Sequence, residues 1–205
     1  MSAEPDILVV RARIGEVAPL LSPGEQSRAE ALPAAAARAF VAGRSLLRRL
    51  LGHWLACDPR PIHFHEEPDE KPRLACDTGI GFNVAHGGDH VLVALGRGRN
   101  IGVDVEPVSS RRAITAIAEA ALGPDALDEL HLLPEGRRAA RFTCWWVRIE
   151  ALCKATGAGL TFPVDDTIPR GFAVRDIAMP IHYRAAVAFD GGPPGRLTTL
   201  DWRAV

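Results

Sequence analysis

Residues Gly81–Pro107 read GFNVAHGGDHVLVALGRGRNIGVDVEP, and this stretch decides the fold class. Three apolar, β-branched runs (Gly81–His86, His90–Leu95 and Ile101–Glu106) alternate with the turn formers Gly87-Gly88-Asp89 and Gly96–Asn100. Short runs of this kind, cut by glycine, asparagine and aspartate, predict strands joined by tight turns. With a further short strand at Ile62–His65, they are expected to form an antiparallel meander. Working outward, Asp6–Arg13 (DILVVRAR) reads as a strand ahead of Gly15. Ser22-Pro23-Gly24-Glu25 is a helix start, with Ser22 as N-cap, Pro23 at the first position and Glu25 three residues on. Beyond Pro33, Ala34–Ala56 carries Phe40, Leu46, Leu47, Leu50 and Trp54 at helical steps. Its arginines are spread around the helix and read as solvated charge.

After Pro107 the pattern returns to helix over Arg112–Leu122, Pro124–Leu132 and Arg137–Thr156, the last closed by Gly157. Strands follow at Phe172–Ile177, Ile181–Phe189 and Leu197–Trp202, with the hairpin loop GGPPG after Asp190. The element order predicts an α+β fold of two similar halves, 1–106 and 107–205. Each half is expected to pack a small, mainly antiparallel sheet against a long helix.

Composition narrows the function classes. The chain has 205 residues, 47% hydrophobic and 24% charged, with a formal net charge of -1. That suits an ordinary globular protein and excludes a global polycation built for nucleic acid, so any anionic ligand needs a local cluster of bases. Cys57, Cys76, Cys144 and Cys153 form no CxxC pair, which argues against a zinc knuckle or a disulfide framework. MSAEPDILVV has no signal-peptide pattern and no apolar run approaches the ~18 residues of a membrane span. A cytoplasmic protein is expected. Phosphate-loop, HExxH and GxSxG motifs are all missing.

The candidate chemistry lies in two segments. Asp104 and Glu106, two apart on a strand, project to one face while Val103 and Val105 turn to the other. Paired carboxylates repel, and a hard divalent cation is their natural partner. Two exposed acids on an edge strand is the competing interpretation. Glu150 and Lys154 in WWVRIEALCKATGAGL share a helical face, which as a plain surface ion pair is worth ~0.2–0.5 kcal/mol. Their apolar neighbours Trp145, Trp146, Ile149, Leu152 and Cys153 leave little solvated face, so Glu150 is also a candidate metal ligand or general base. His86 ends the strand FNVAH beside a glycine turn, while Arg28, Arg38, Arg44 and Lys71 are basic positions ahead of the strands. In Glu70-Lys71-Pro72-Arg73 the proline stiffens the chain past the lysine, which suits a phosphate clamp and a plain surface turn equally.

Taken in order, FNVAHGGDHVLVAL, NIGVDVEP and WWVRIEALCKATGAGL resemble the three signature segments of the 4'-phosphopantetheinyl transferases, FN[VI]SH, [IV]G[IV]D[IV]E and WxxKEAxxKxxGxG. Upstream, AGRSLLRRLL and EKPRL resemble the family's N-terminal helix and its G-K-P loop, so the likeness spans about Arg28 to Leu160. The length and two-half layout resemble the broad-specificity pseudo-dimeric class, the surfactin-synthetase-activating type, a monomer, rather than the short trimeric class.

The resemblance implies transfer of the phosphopantetheine arm of coenzyme A to a serine of an apo acyl or peptidyl carrier protein. It also implies coenzyme A bound between the halves, with carrier docking through apolar and basic contacts. By position, Asp104, Glu106 and Glu150 match the acids that hold Mg2+, and Lys154 the lysine on the reacting phosphate. His86, Arg38 and Lys71 match coenzyme A contacts, with Arg28 a further phosphate contact. Ala85 replaces the serine of the SH pair, Ile149 the lysine of KEA, and Glu70 the glycine before Lys71. These departures favour a second possibility, a non-catalytic homologue that binds carrier protein or coenzyme A. A magnesium-dependent nucleotide phosphohydrolase is a third.

Overall fold

The computed structural model describes residues 6–65, 71–108, 118, 122, 124–159, 168–192 and 194–203. The chain forms two compact units, one of Met1–Arg99 with Pro194–Val205, the other of Asn100–Pro193. The division expected at residue 106 does not coincide with these units. The strand through Asp104 belongs wholly to the second unit, and the last strand returns to the first.

The first unit opens with β1 (Ile7–Arg13), whose Ile7, Leu8, Val9 and Val10 are all buried. A strand apolar on both faces belongs in the middle of a sheet. Here β1 lies between β5 (His90–Arg97), antiparallel, and β9 (Leu197–Asp201), parallel, with β4 (Ile80–Gly87) outside β5. The β4–β5 hairpin turns through Gly88 and Asp89, with Gly88 at φ 53°, where a side chain is disfavoured. Against one face of this sheet packs α2 (Ala34–Leu55), burying Leu46, Leu47, Leu50, Leu51 and Trp54 on Leu8, Val10, Val91, Val93 and Leu95. The helix ends on Ala56 in the left-handed conformation.

Ahead of it, α1 (Pro23–Ala31) is capped as expected: Ser22 Oγ accepts from the Glu25 amide and Glu25 Oε2 from the Ser22 amide, at 3.4 and 2.8 Å. A two-stranded ribbon pairs β2 (Phe64–His65) with β3 (Arg73–Leu74), a strand that the sequence pattern did not predict.

The expected meander stops at β5. The next strand, β6 (Ile101–Pro107), pairs antiparallel with β8 (Tyr183–Phe189), and β8 with β7 (Ala173–Ile177), forming the second unit's sheet. The cause lies at Asn100, whose backbone and side-chain N–H groups both donate to Asp190, at 2.8 and 2.7 Å, after a turn at Gly98 with φ 59°. The chain is thereby tied to the end of β8 before β6 begins.

The helix α4 (Glu135–Thr156) covers this sheet, Val147, Ala151, Leu152 and Ala155 packing on Ala186, Ala188, Phe172 and Val174. Preceding it, α3 (Pro124–Leu132) joins a cluster of Ala118, Leu122, Leu130, Phe142 and Ile149. The helix expected over Arg112–Leu122 lies outside the described residues, apart from Ala118 and Leu122. Each unit is thus an α+β layer of a long helix on a mainly antiparallel sheet. No helix among the described residues is long and apolar enough to cross a membrane.

Candidate active site

Strand β6 carries the first two acids as its period demands. Val103 and Val105 are fully buried on one face, while Gly102, Asp104 and Glu106 line the face beneath α4. The helix supplies Glu150 and Lys154 one turn apart. The Lys154 ammonium donates to Asp104 Oδ1 at 2.5 Å and lies 3.5 Å from Glu150 Oε2. The same-turn pair is therefore no simple surface pair, since its lysine also reaches an aspartate fifty positions away in sequence whose side chain is 3% exposed.

Three carboxylates here face one ammonium, leaving two negative charges in excess when all are ionised. Burial pushes the Asp104 carboxyl up to about 6, with Lys154 pulling against it and Glu150 adding to it. Glu106 is pushed up to about 7 by burial, then by the charges of Asp104 and Glu150, with Lys154 opposing. Asp104 Oδ2 is buried and accepts no hydrogen bond among the described residues. A buried carboxylate oxygen left without a donor is costly, and a bound cation is one way to satisfy it. As the side chains stand, no three His, Cys, Asp or Glu groups among the described residues are gathered closely enough to hold a metal ion, and the positive charge facing Asp104 is that of Lys154. The donor set, all carboxylate oxygen, is the one a hard divalent ion prefers.

Two positions flagged as departures from the motif acquire a structural meaning. Ile149 is 5% exposed and packs with Phe142 and Leu130, so its side chain turns away from the acids. Arg148, the nearest base, is held by Asp176, Nε to Oδ1 at 2.7 Å and Nη2 to Oδ2 at 2.6 Å. It pairs with Asp176, holding that carboxyl below its usual range, and takes no part in the acidic group. In the register of the sheet, Asp176 and Asp104 both oppose Ala186, so α4 drops one cation on each.

The remaining candidates lie in the first unit. His86 is exposed at the end of β4, opposite Val91, and Ala85 is buried on the other face of that strand. Arg28, on α1, stacks over the Phe40 ring at 5.0 Å, Arg38 is exposed on α2, and Lys71 is half-buried just before β3. Glu70 lies outside the described residues. Arg44 departs from the expected solvated charge: it is 7% exposed, sits 4.4 Å over Phe64 and 3.4 Å from Glu25, and burial lowers it to about 10. Arg48, 2% exposed, grips both Glu25 oxygens, at 2.8 and 2.9 Å, and the carbonyls of Pro59, Arg60 and Ile62. This internal lattice was missed because Glu25 reads fully satisfied as a capping-box residue. A second partner for it is visible only in three dimensions.

Comparison with known proteins places this arrangement. Residues 100–182, which include β6 and α4 with all three acids, match the family model of the 4'-phosphopantetheinyl transferase superfamily. The 4'-phosphopantetheinyl transferase AcpT of Salmonella typhi is 30% identical over 137 residues, 66% of this chain and 68% of that protein. The chain belongs to the 4'-phosphopantetheinyl transferase superfamily. Within it, 4'-phosphopantetheinyl transferase HetI of Nostoc sp. is 32% identical over 126 residues, 60% of this chain and 53% of HetI. 4'-Phosphopantetheinyl transferase psf-1 of Bacillus pumilus is 30% identical over 126 residues, 62% of this chain and 53% of psf-1. The match thus spans about half the length of HetI and of psf-1. The acid–lysine group of β6 and α4 falls inside the stretch that defines the superfamily.

Proposed function

We propose that this chain transfers the 4'-phosphopantetheine arm of coenzyme A to a serine hydroxyl of an apo carrier protein, releasing 3',5'-adenosine bisphosphate. The observation that carries this reading is Lys154 on Asp104 at 2.5 Å, with Glu150 beside it and Asp104 Oδ2 left without a donor. Three acids and a lysine at one spot suit a diphosphate substrate that brings its own negative charge and its own cation. Asp104, Glu106 and Glu150 are the residues to hold Mg2+, which when bound neutralises diphosphate charge and polarises the reacting phosphoryl group.

The rest of the chemistry falls to the chain's own groups. Glu150 takes the proton as the serine oxygen bonds to the β-phosphorus and the bond to the adenosine bisphosphate oxygen breaks. Lys154, one-third exposed, is close enough to Asp104 to be held there and free enough to turn its ammonium to a phosphate oxygen. Arg28, Arg38, Lys71 and His86 are proposed coenzyme A contacts, of which Arg28, Arg38 and His86 present exposed side chains. The partner is an apo acyl or peptidyl carrier protein. A broad-specificity monomeric type, acting in the cytoplasm, completes the reading, supported by two α+β units of similar build.

One observation favours a second reading, a homologue that binds coenzyme A or carrier without turnover. Ile149 is sunk in an apolar cluster and Arg148 is committed to Asp176, so the missing lysine is not replaced from its neighbours. Incubating the chain with coenzyme A, Mg2+ and a panel of apo carriers, followed by mass spectrometry, separates the two. A carrier mass gain of one phosphopantetheine, lost with Asp104→Ala, is expected. No gain on any carrier would overturn the transferase reading, and phosphate release from coenzyme A without an acceptor would point to a hydrolase.

A further inference from the structure

Gly102 lies two residues before Asp104 on the face of β6 that meets α4. A Cβ at this position would sit 2.1 Å from the Ala151 carbonyl oxygen, 2.5 Å from the Ala155 nitrogen and 2.9 Å from the Lys154 carbonyl carbon. All three are helix backbone atoms, which no rotamer change can move aside. They also belong to the one turn of α4 that carries Glu150 and Lys154. The seam around this contact is built from the smallest residues: Ala151 and Ala155 on the helix, Ala186 and Ala188 on β8, all buried. Nothing larger than a methyl group separates helix from sheet here, so α4 lies deep enough for Lys154 to reach the short aspartate side chain.

We infer that Gly102 is a positioning residue: its missing side chain sets the depth at which α4 docks, and that depth brings Glu150 and Lys154 onto Asp104 and Glu106. The inference deepens the transferase reading and rests on it for its kinetic consequences, but the geometry it concerns can be measured without turnover. Relieving a 2.1 Å contact to even 3.0 Å moves the helix about 0.9 Å off the strand at this turn. A misplacement of about 1 Å at a reacting group costs on the order of 100-fold in rate.

The test compares the wild type, Gly102→Ala, Lys154→Ala and the double variant. Val103→Ala serves as a control that removes core volume from the opposite, fully buried face of the same strand. Gly102→Ala is expected to lower kcat about 100-fold with KM for coenzyme A changed less than about 3-fold, and to cost clearly less once Lys154 is gone, when the displacement of Glu150 is what remains. Val103→Ala, normalised to folded protein by urea titration, keeps wild-type kcat. The chain contains only two lysines, Lys71 and Lys154, so the lysine ammonium region of a 1H–15N spectrum is simple to assign. The Lys154 ammonium, held by Asp104, gives a slowly exchanging signal in the wild type that is lost in Gly102→Ala. Should Gly102→Ala not accumulate folded, Ala186→Val thickens the same seam and is expected to show a graded loss of about 10-fold with the same loss of the lysine signal. Kinetics within 3-fold of wild type, losses that multiply fully with Lys154→Ala, or an unchanged lysine signal would each overturn the inference. If the wild type modifies no carrier, the transferase reading falls, and the lysine spectrum alone decides the role of Gly102.

Discussion

Replacing Lys154 by methionine removes the only ammonium that, among the described residues, touches the acidic group, while keeping most of the length of the side chain. The wild-type contact is a charged hydrogen bond of 2.5 Å onto a nearly buried carboxylate. Such bonds contribute ~1.5–3 kcal/mol, and because the lysine is one-third exposed the lower half of that range applies, about 2 kcal/mol at a pH where Asp104 is ionised. The loss must shrink at low pH. Asp104 is raised to about 6 and Glu106 to about 7, so by pH 5.5 both hold protons for much of the time and need the lysine less.

The sign follows from linkage. A carboxyl raised above its unfolded value binds its proton more tightly in the native state, so its contribution to stability is present at low pH and lost as pH rises through the folded value. Removing the ammonium raises these acids further, which makes the variant's stability fall more steeply between about pH 5 and pH 8. His90, which burial lowers, contributes with the opposite sign, but it lies in the other unit and cancels in the difference between the two proteins.

Urea unfolding at pH 5.5 and 8.0 in the presence of a chelator provides the measurement. The variant is expected to be less stable by about 2 kcal/mol at pH 8.0 and by under about 1 kcal/mol at pH 5.5. Added Mg2+ should recover more stability in the variant than in the wild type, since the cation takes over the work of the ammonium. Equal losses at both pH values would show that Asp104 does not depend on Lys154 for its charge, and the electrostatic account of the site would fail.

Glu150→Gln keeps the volume and one oxygen of the side chain but removes the proton acceptor; retained binding of coenzyme A by calorimetry with kcat lowered 100-fold or more is expected, and normal turnover places the base elsewhere. Arg48→Met takes the two guanidinium bonds from Glu25, leaving it to Arg44 and the Ser22 amide, and frees three carbonyls, so a loss of about 3 kcal/mol in urea unfolding is expected, at the low end of the range for breaking a buried pair from one side. Ile149→Lys restores the residue type of the family motif but inserts an ammonium among Phe142, Leu130 and Leu122. A fall in thermal midpoint is expected with no gain in coenzyme A affinity, while tighter binding in a fully stable variant would refute the orientation given to this side chain.

How much of this was legible beforehand depends on the range of the forces involved. The strands, the capping box at Ser22 and Glu25, and the long helices follow from local rules, and they appear within two or three residues of where the pattern put them. The α+β class followed from their order. The departure of β6 from the meander did not, because it depends on Asn100 meeting Asp190, ninety residues away. The buried guanidinium groups of Arg44 and Arg48 were invisible for the same reason, since a helix arginine with no local acid reads as solvated. For the site, period-two alternation placed Asp104 with Glu106, and helical spacing placed Glu150 with Lys154. That the two pairs meet was implied only by the family resemblance.

The meeting of those pairs is itself a consequence of packing. A short aspartate on a strand can reach a helix-borne lysine only if helix and strand approach more closely than leucine-sized residues allow. Ordinary cores fill that layer with Leu and Ile, as the first unit does beneath α2. The second unit places Val147, Leu152, Phe172 and Val174 elsewhere in its layer, but beside Asp104 it uses Gly102, Ala151, Ala155, Ala186 and Ala188 and gives up the corresponding burial energy. Part of that loss is offset by Asp104–Lys154, but an ion pair this buried contributes little net stability over an apolar substitute. Stability alone therefore does not account for the seam. A requirement that three acids and a lysine occupy one place does account for it, and it explains why the glycine sits in the motif two positions ahead of the aspartate that it allows Lys154 to reach.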